Sequence, residues 1–426
     1  MVKIMNRITA GDSLHLYGSI GREDYTVRLC IRLDEAVDGK ILKSALENTE
    51  KRYPYLCVRL MKNDVEYYYE KNDRHVCLFN TSERITLNSG ETNYHVWAVC
   101  YEDDFIYFDF FHGICDGTGM YYVLSTLLYY YLSEKHGGIS AEGIRTLNDK
   151  ISEAEYLDPV DTLPEIDLSK VPQSLSRLEP AFSIVHDGGM TVAGKTMVRD
   201  VIIPEKELLK FTSANDASPG TFIAVLAARA IDRLNPGRNK EIAGSYVING
   251  RPMLGKSITH HNCVSSTVLR YSDKLKKMPL DRQCTAYRGM TFLQSDAENV
   301  QKAMTFSSSR AKMILKSPDI EAKKEAFSQM INGGRRFFTY MVSYVGQWKH
   351  KDIAKHIREF WTHVPVANGF LTEIAAVNGN IFLSIQQNFE EDIYYKALLN
   401  ELTENGIPYQ EKKTVINDIA GFADVK

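Results

Sequence analysis

The sequence has no Cys-x-x-Cys pair, no internal repeat of fixed period, no apolar run long enough to span a bilayer and almost no net charge. Each absence removes a class of protein. Its seven cysteines are an odd number in a long chain, which argues against a disulfide framework. Most sit among apolar neighbours, as in Leu29-Cys30-Ile31 and Val99-Cys100-Tyr101, and read as small core residues rather than zinc ligands; no metal is expected. Lack of a repeat disfavours solenoids and propellers. The longest apolar stretch covers about residues 120–132 and is interrupted by Ser125 and Thr126, so no membrane span is expected. Residues 1–7 lack the apolar segment of a secretory signal, and a reduced cytoplasmic location is the expectation. With 51 basic against 54 acidic residues, there is no global electrostatic case for nucleic acid.

What is present is an ordinary globular composition, 44% hydrophobic and 25% charged. A length of 426 residues suits two or three domains or one two-lobed unit. Residues 25–33 alternate apolar and polar, as a half-buried strand does. A helix is predicted over 39–52, with Ile41, Leu42, Ala45 and Leu46 on its apolar side and Pro54 as its stop. A strand begins at 57–61. Two aromatic-rich runs, 95–100 and 105–111, flank the acidic turn Glu102-Asp103-Asp104 and read as a hairpin. In the second run Ile106, Phe108, Phe110 and His112 share one face. A helix is predicted over 120–135.

Residues 137–194 are polar and hold Pro159, Pro164, Pro172 and Pro180, the character of a long connection between halves. A strand at 196–203 follows. The helix 219–234 is well signalled, with Ser218 as N-cap and Pro219 in its first turn. Further strands are read at 242–248, 263–271, 338–345, 371–377 and 381–387, with Asn378-Gly379 as a hairpin turn. One long helical zone covers 280–331. Strands alternate with helices in both halves, so the class is α/β or α+β with two similar lobes.

The chemistry concentrates at Phe111-His112-Gly113-Ile114-Cys115-Asp116-Gly117. Of the eleven histidines, His112 alone is followed by aspartate at the fourth position, and a glycine follows that aspartate. A histidine where an apolar strand ends can take a proton from a hydroxyl or amine near neutral pH. Gly113 and Gly117 would let the chain turn sharply. From the residues alone, a packed histidine beside a turn aspartate fits equally.

His112-Gly113-Ile114-Cys115-Asp116-Gly117 resembles the HxxxDG motif of the chloramphenicol-acetyltransferase-like superfamily, which includes condensation domains, plant BAHD acyltransferases and microbial alcohol O-acetyltransferases. Other segments follow in the matching order. Ala45-Leu46 with Arg52-Tyr53-Pro54-Tyr55-Leu56 is similar to an N-terminal helix and turn of the family. Ser218-Pro219-Gly220-Thr221, Asn249-Gly250-Arg251, His261-Asn262-Cys263-Val264 and Ser343-Tyr344-Val345-Gly346 resemble segments of its second lobe. The resemblance covers most of the chain and implies two lobes, 1–175 carrying the motif and 176–426, with a central tunnel. It implies an acyltransferase moving an acyl group, acetyl by preference, from a CoA thioester to a hydroxyl or amine. His112 would be the general base, Asp116 a structural residue paired with Arg251, Gly117 part of the motif, and Ser343 an oxyanion donor. No permanently bound cofactor is implied; acyl-CoA is a cosubstrate, although the residues that meet it are not identifiable.

The partners implied are acyl-CoA and a small-molecule alcohol or amine, with the chain a monomer. Condensation domains carry two adjacent histidines, whereas Phe111 stands first here, which favours the simpler acyltransferases. The alternatives are a condensation-like enzyme using a carrier protein in trans, and a non-catalytic binding or assembly module of the same fold. A thiol nucleophile at Cys115 is a further reading.

Overall fold

Phe105–Phe111 is largely buried on both faces, with Asp109 its one charged residue, and it becomes a central strand of a five-stranded sheet. The order is Ile357–His363, Thr26–Leu33, Phe105–Phe111, Trp97–Glu102, Leu78–Asn80. All pairings are antiparallel except the last. The computed structural model describes residues 7–19, 26–161, 163, 167, 179–255, 258–366, 369–412, 415–417 and 422–424. The boundary expected at 175/176 lies outside them, as do residues 1–6, Pro164 and Pro172.

In the hairpin, Glu102 pairs with Phe105, so the turn is the two residues Asp103-Asp104 rather than three, with Asp103 at φ 52°. Aspartate tolerates this left-handed conformation, which two-residue hairpins need. The helix Gly39–Arg52 starts where Asp38 accepts hydrogen bonds from the Lys40 and Ile41 N–H groups. It packs against the helix Gly117–His136. That second helix begins three residues before the expected start at 120. The glycine-rich segment is its first turn, because the Asp116 carboxylate caps the Gly119 N–H at 2.8 Å.

Val58–Lys62 and Tyr67–Lys71 form a two-stranded sheet, and the largest sheet has eight strands, running Gln410–Glu411, Val192–Pro204, Asn380–Phe389, Phe370–Val377, Tyr340–Gln347, Ile242–Asn249, Val264–Tyr271, with Val415–Asn417 also on Val192–Pro204. Tyr340–Gln347 is parallel to both neighbours. Asn378 and Gly379 form the expected hairpin turn, at φ 50° and 72°. The helix Pro219–Leu234 is stapled by a capping box between Ser218 and Thr221 and packs against Leu280–Gln294 and Ile393–Glu404.

The long helical zone is three helices, Leu280–Gln294, Ala297–Ile314 and Ile320–Arg335. Asp296 and Asp319 each restart the helix by accepting a backbone N–H three residues on. Ala10–Ser19, Glu205–Ala214, Ile357–His363 and Ile393–Glu404 are elements beyond those expected from the sequence. Of these, Ile357–His363 matters most to the architecture. It lies late in the chain yet pairs with Thr26–Leu33, in the sheet that also holds the motif strand.

Its last residue ties the sheets together. The His363 Nε2 lies 3.0 Å from Asp200 Oδ2, and the Ser384 hydroxyl donates to Asp200 Oδ1 at 2.7 Å. Burial by itself lowers the His363 pKa, but the Asp200 carboxylate outweighs it and raises it to about 10. A folded-state pKa above the ordinary 6.5 means the protonated pair stabilises the fold fully below that pH and loses its contribution as pH rises towards 10. The urea-midpoint gap between wild type and a His363→Asn variant is therefore expected to narrow steadily from pH 7 to pH 10. A gap constant over that range would contradict the assignment.

Candidate active site

His112 follows the last residue of the strand Phe105–Phe111, and the chain turns at once, with the Ile114 N–H donating to the Phe111 carbonyl at 3.1 Å. The turn does not need the left-handed glycine conformation that the sequence suggested, since neither Gly113 nor Gly117 has positive φ. Space matters instead. A Cβ on Gly113 would sit 2.2 Å from the Phe111 ring, and one on Gly119 would sit 2.2 Å from the His260 carbonyl. At Gly117 a Cβ would meet nothing within 4 Å, and this glycine lines a cavity, so a side chain there would take up room in it.

The Asp116 carboxylate is saturated with hydrogen bonds. Its Oδ1 accepts from Gly119 N at 2.8 Å and Arg251 Nη2 at 2.7 Å; its Oδ2 accepts from Arg251 Nη1 at 2.8 Å and Cys263 N at 2.9 Å. Arg251 completes its own set on the carbonyls of Thr259 and His261, each at 2.9 Å. Exposure is 1% for Arg251 and 2% for Asp116, so the pair is dry. Burial by itself disfavours the Arg251 charge, but Asp116 more than compensates and its pKa is raised. A forked pair with its remaining donors and acceptors met is the arrangement in which a buried ion pair can be held without large cost.

A second network lies beside the first. Asp12, on the helix Ala10–Ser19, accepts from Asn262 Nδ2 at 2.7 Å and sits 2.6 Å from His261 Nδ1. The same Asn262 amide donates to the His112 carbonyl at 2.9 Å. One turn on from Asp12, His15 stacks on His112, with ring centres 4.1 Å apart and planes 22° from parallel. Burial lowers the His112 pKa, although its own carbonyl, Asp116, Asp12 and the Asn262 side chain pull the other way. Burial pushes His15 down as well, and proximity to His112 adds to that. Both rings therefore favour the neutral form at pH 7.

His112, Asp116, Gly117 and Ser343 line one cavity of about 570 Å³ between the lobes, within the size range of small-molecule sites. Its walls include Leu14, Val27, Leu29, Phe110 and Met304. Arg251 stands behind Asp116 and does not line it. Ser343 is present, but its hydroxyl hydrogen-bonds the Glu373 carboxyl. Cys115 is fully buried, outside the cavity lining, and burial raises its thiol pKa well above the ordinary value, which opposes a thiolate nucleophile. Among the described residues, no cluster of three or more His, Cys, Asp or Glu side chains is placed to hold a metal. Asp12, His15, Asn262 and Glu373 were not assigned roles from the sequence. The i, i+3 spacing of Asp12 and His15 puts them on one helix face, which is the one local signal that was available.

No family profile matches the chain, and no curated protein matches it in sequence. Solved structures do match over nearly its whole length. TRI101 of F. sporotrichioides, complexed with coenzyme A and T-2, is similar at a TM-score of 0.64 with 10% identity, over 95% of this chain and 99% of that one. The TRI3 trichothecene 15-O-acetyltransferase of Fusarium sporotrichioides gives 0.58 with 13% identity, over 94% of each chain. An epimerization domain from tyrocidine synthetase B gives 0.55 with 10% identity, over 94% of this chain and 98% of that one. The chain shares the fold of these two acetyltransferases and of the epimerization domain. The two-lobed α/β class expected from the sequence is the class observed.

The dry pair makes a firm demand on stability. Asp116→Asn leaves Arg251 buried with one charge uncompensated, and about 3–5 kcal/mol of unfolding free energy is expected to go. Urea denaturation checks this, and wild-type stability in the variant would show that the pair is not a structural tie.

Proposed function

We propose that the protein is an acyltransferase that moves an acyl group, acetyl by preference, from CoA to a hydroxyl or amine on a small molecule, with His112 as general base. The observation that carries this reading is that His112 lines the inter-lobe cavity with a pKa held low by burial, so that it is neutral and able to accept a proton at pH 7. The likeness to TRI101, seen with coenzyme A and T-2, supports a CoA thioester as donor.

The reaction balances without an acyl-enzyme. A nitrogen of the His112 ring takes the acceptor proton as the acceptor oxygen or nitrogen forms a bond to the thioester carbonyl carbon. The carbonyl oxygen becomes an oxyanion. When the tetrahedral species collapses, the carbon–sulfur bond breaks and the sulfur leaves with the proton that His112 held, giving free CoA thiol. Imidazole is thus restored each cycle. In this reading Asp116 and Arg251 touch no reacting atom; they hold the strand-end turn that aims the ring. Ser343 is the proposed oxyanion donor, its hydroxyl proton rotating from Glu373 to the developing charge, a contribution of about 3 kcal/mol where such donors act. A carrier-bound acyl thioester in place of acyl-CoA would use the same groups.

Thiol release from acetyl-CoA with a panel of alcohols and amines tests the proposal. His112→Ala is expected to lose at least about a hundredfold in kcat. Turnover like wild type in that variant, or transfer from a carrier-bound thioester and never from acyl-CoA, would overturn the corresponding part. The pH profile is a separate check. Since the active form of His112 is neutral and its pKa is lowered, the acid limb of kcat/KM is expected below pH 6.5. A limb above that value would exclude His112 as the titrating base.

A further inference from the structure

Strands at the centre of a sheet, covered on both faces, are apolar almost throughout, and a charge in one calls for a compensating partner. The strand Phe370–Val377 reads Phe-Leu-Thr-Glu-Ile-Ala-Ala-Val, with Glu373 its one charged residue. It lies between Asn380–Phe389 and Tyr340–Gln347, in the interior of the larger sheet. In the parallel register Glu373 sits beside Ser343, and Leu371 beside Met341. All four line the inter-lobe cavity.

Two carboxylates line that cavity among the described residues, and they differ in kind. Asp116 is neutralised by Arg251. Glu373 is 8% exposed, and the influences on its charge are burial and the Ser343 hydroxyl, with no cation among them. Burial pushes its carboxyl up to about 7, the serine offsetting this in part. An isolated carboxyl in such a wall is costly to the fold. Packing offers no reason for it, because leucine would fill the same space without the penalty.

We propose that Glu373, held by Ser343, is a specificity residue that receives a second polar group of the acceptor, a hydroxyl or an ammonium, so that the substrate is a diol, polyol or amino alcohol rather than a simple alcohol. The inference rests on the acyl-transfer reading and adds the class of acceptor. In this arrangement one end of the acceptor meets His112 and another hydrogen-bond donor meets Glu373, with the apolar wall between. A site built to hydrogen-bond a substrate group rejects the analogue lacking it, because its own polar atom is then left unpaired.

The test compares butanol, hexanol and octanol with the matching α,ω-diols and ω-amino alcohols. Two quantities are read for wild type, Glu373→Gln and Glu373→Leu. One is kcat/KM with acetyl-CoA; the other is binding of each compound by calorimetry with no acyl donor present. Wild type is expected to prefer at least one bifunctional compound over its plain alcohol by about tenfold or more in both readouts. In Glu373→Leu that ratio falls to about one. Glu373→Gln separates the two donors, keeping the diol preference and losing the ammonium preference, since the amide is uncharged. Equal treatment of plain and bifunctional compounds by wild type at every chain length, or an unchanged ratio in Glu373→Leu, would overturn the inference. The calorimetric arm separates the two claims. A Glu373-dependent binding preference without any transfer would leave this inference standing and bring down the acyl-transfer reading instead.

Discussion

The forked pair between Asp116 and Arg251 is the contact on which the site depends. Four donors converge on one carboxylate, and they come from separate parts of the chain. One is the first turn of the helix Gly117–His136. Two belong to Arg251, and one is the backbone N–H of Cys263, next to the strand Val264–Tyr271. The side chain that caps a helix in one lobe is thereby also the anchor for a buried cation from the other. Moving either lobe would strip a desolvated charge of its partner, a penalty several times the worth of an exposed ion pair.

His112 gains its setting from this anchor and from a second one. The helix Ala10–Ser19 is pinned through Asp12 to His261 and Asn262, and Asn262 in turn holds the His112 carbonyl. Burial alone would keep Asp12 protonated, but the His261 charge and its hydrogen bonds hold its pKa below the usual carboxylate range. His261 is correspondingly raised. The histidine whose charge is favoured is thus the one farther back in the network, while burial favours the neutral form of the two rings that face each other, His15 and His112. Stacking two neutral imidazoles avoids the repulsion that two imidazolium ions at 4.1 Å would suffer.

The cavity is an apolar passage with polar groups at a few points, which is the usual composition of a small-molecule site. His112 offers a proton acceptor, Ser343 and Glu373 a linked pair on neighbouring parallel strands, and Arg335 a cation in the lining. Low dielectric around these groups makes each one count for more than it would in water. The same low dielectric makes a buried carboxyl such as Glu373, met by Ser343 and by no cation among the influences on its charge, expensive, and for that reason its position carries meaning.

Several features followed from local sequence because their physics is local. The apolar stripe of Gly39–Arg52 with Pro54 as its stop, the Ser218 cap of Pro219–Leu234 and the turn backbone of Asn378-Gly379 are each set by near neighbours, so these two helices and the late hairpin could be read directly. His112 and Asp116 were legible as a contiguous motif, and Arg251 through the resemblance of its segment. The start of the motif helix was misplaced because a capping aspartate and a turn aspartate look alike until the Gly119 bond is seen. Asp12 and His15 left only their i, i+3 spacing as a signal, and Glu373 left none. Asp12 lies 249 residues from His261, and Glu373 gains its significance from a cavity wall that distant segments build together. The amino-acid order thus determined most of the elements and the reactive motif, since capping, turn geometry and strand periodicity are decided by near neighbours. Tertiary structure alone decided which charges are neutralised and which face the cavity, since desolvation and ion pairing depend on what the folded chain brings within a few ångströms.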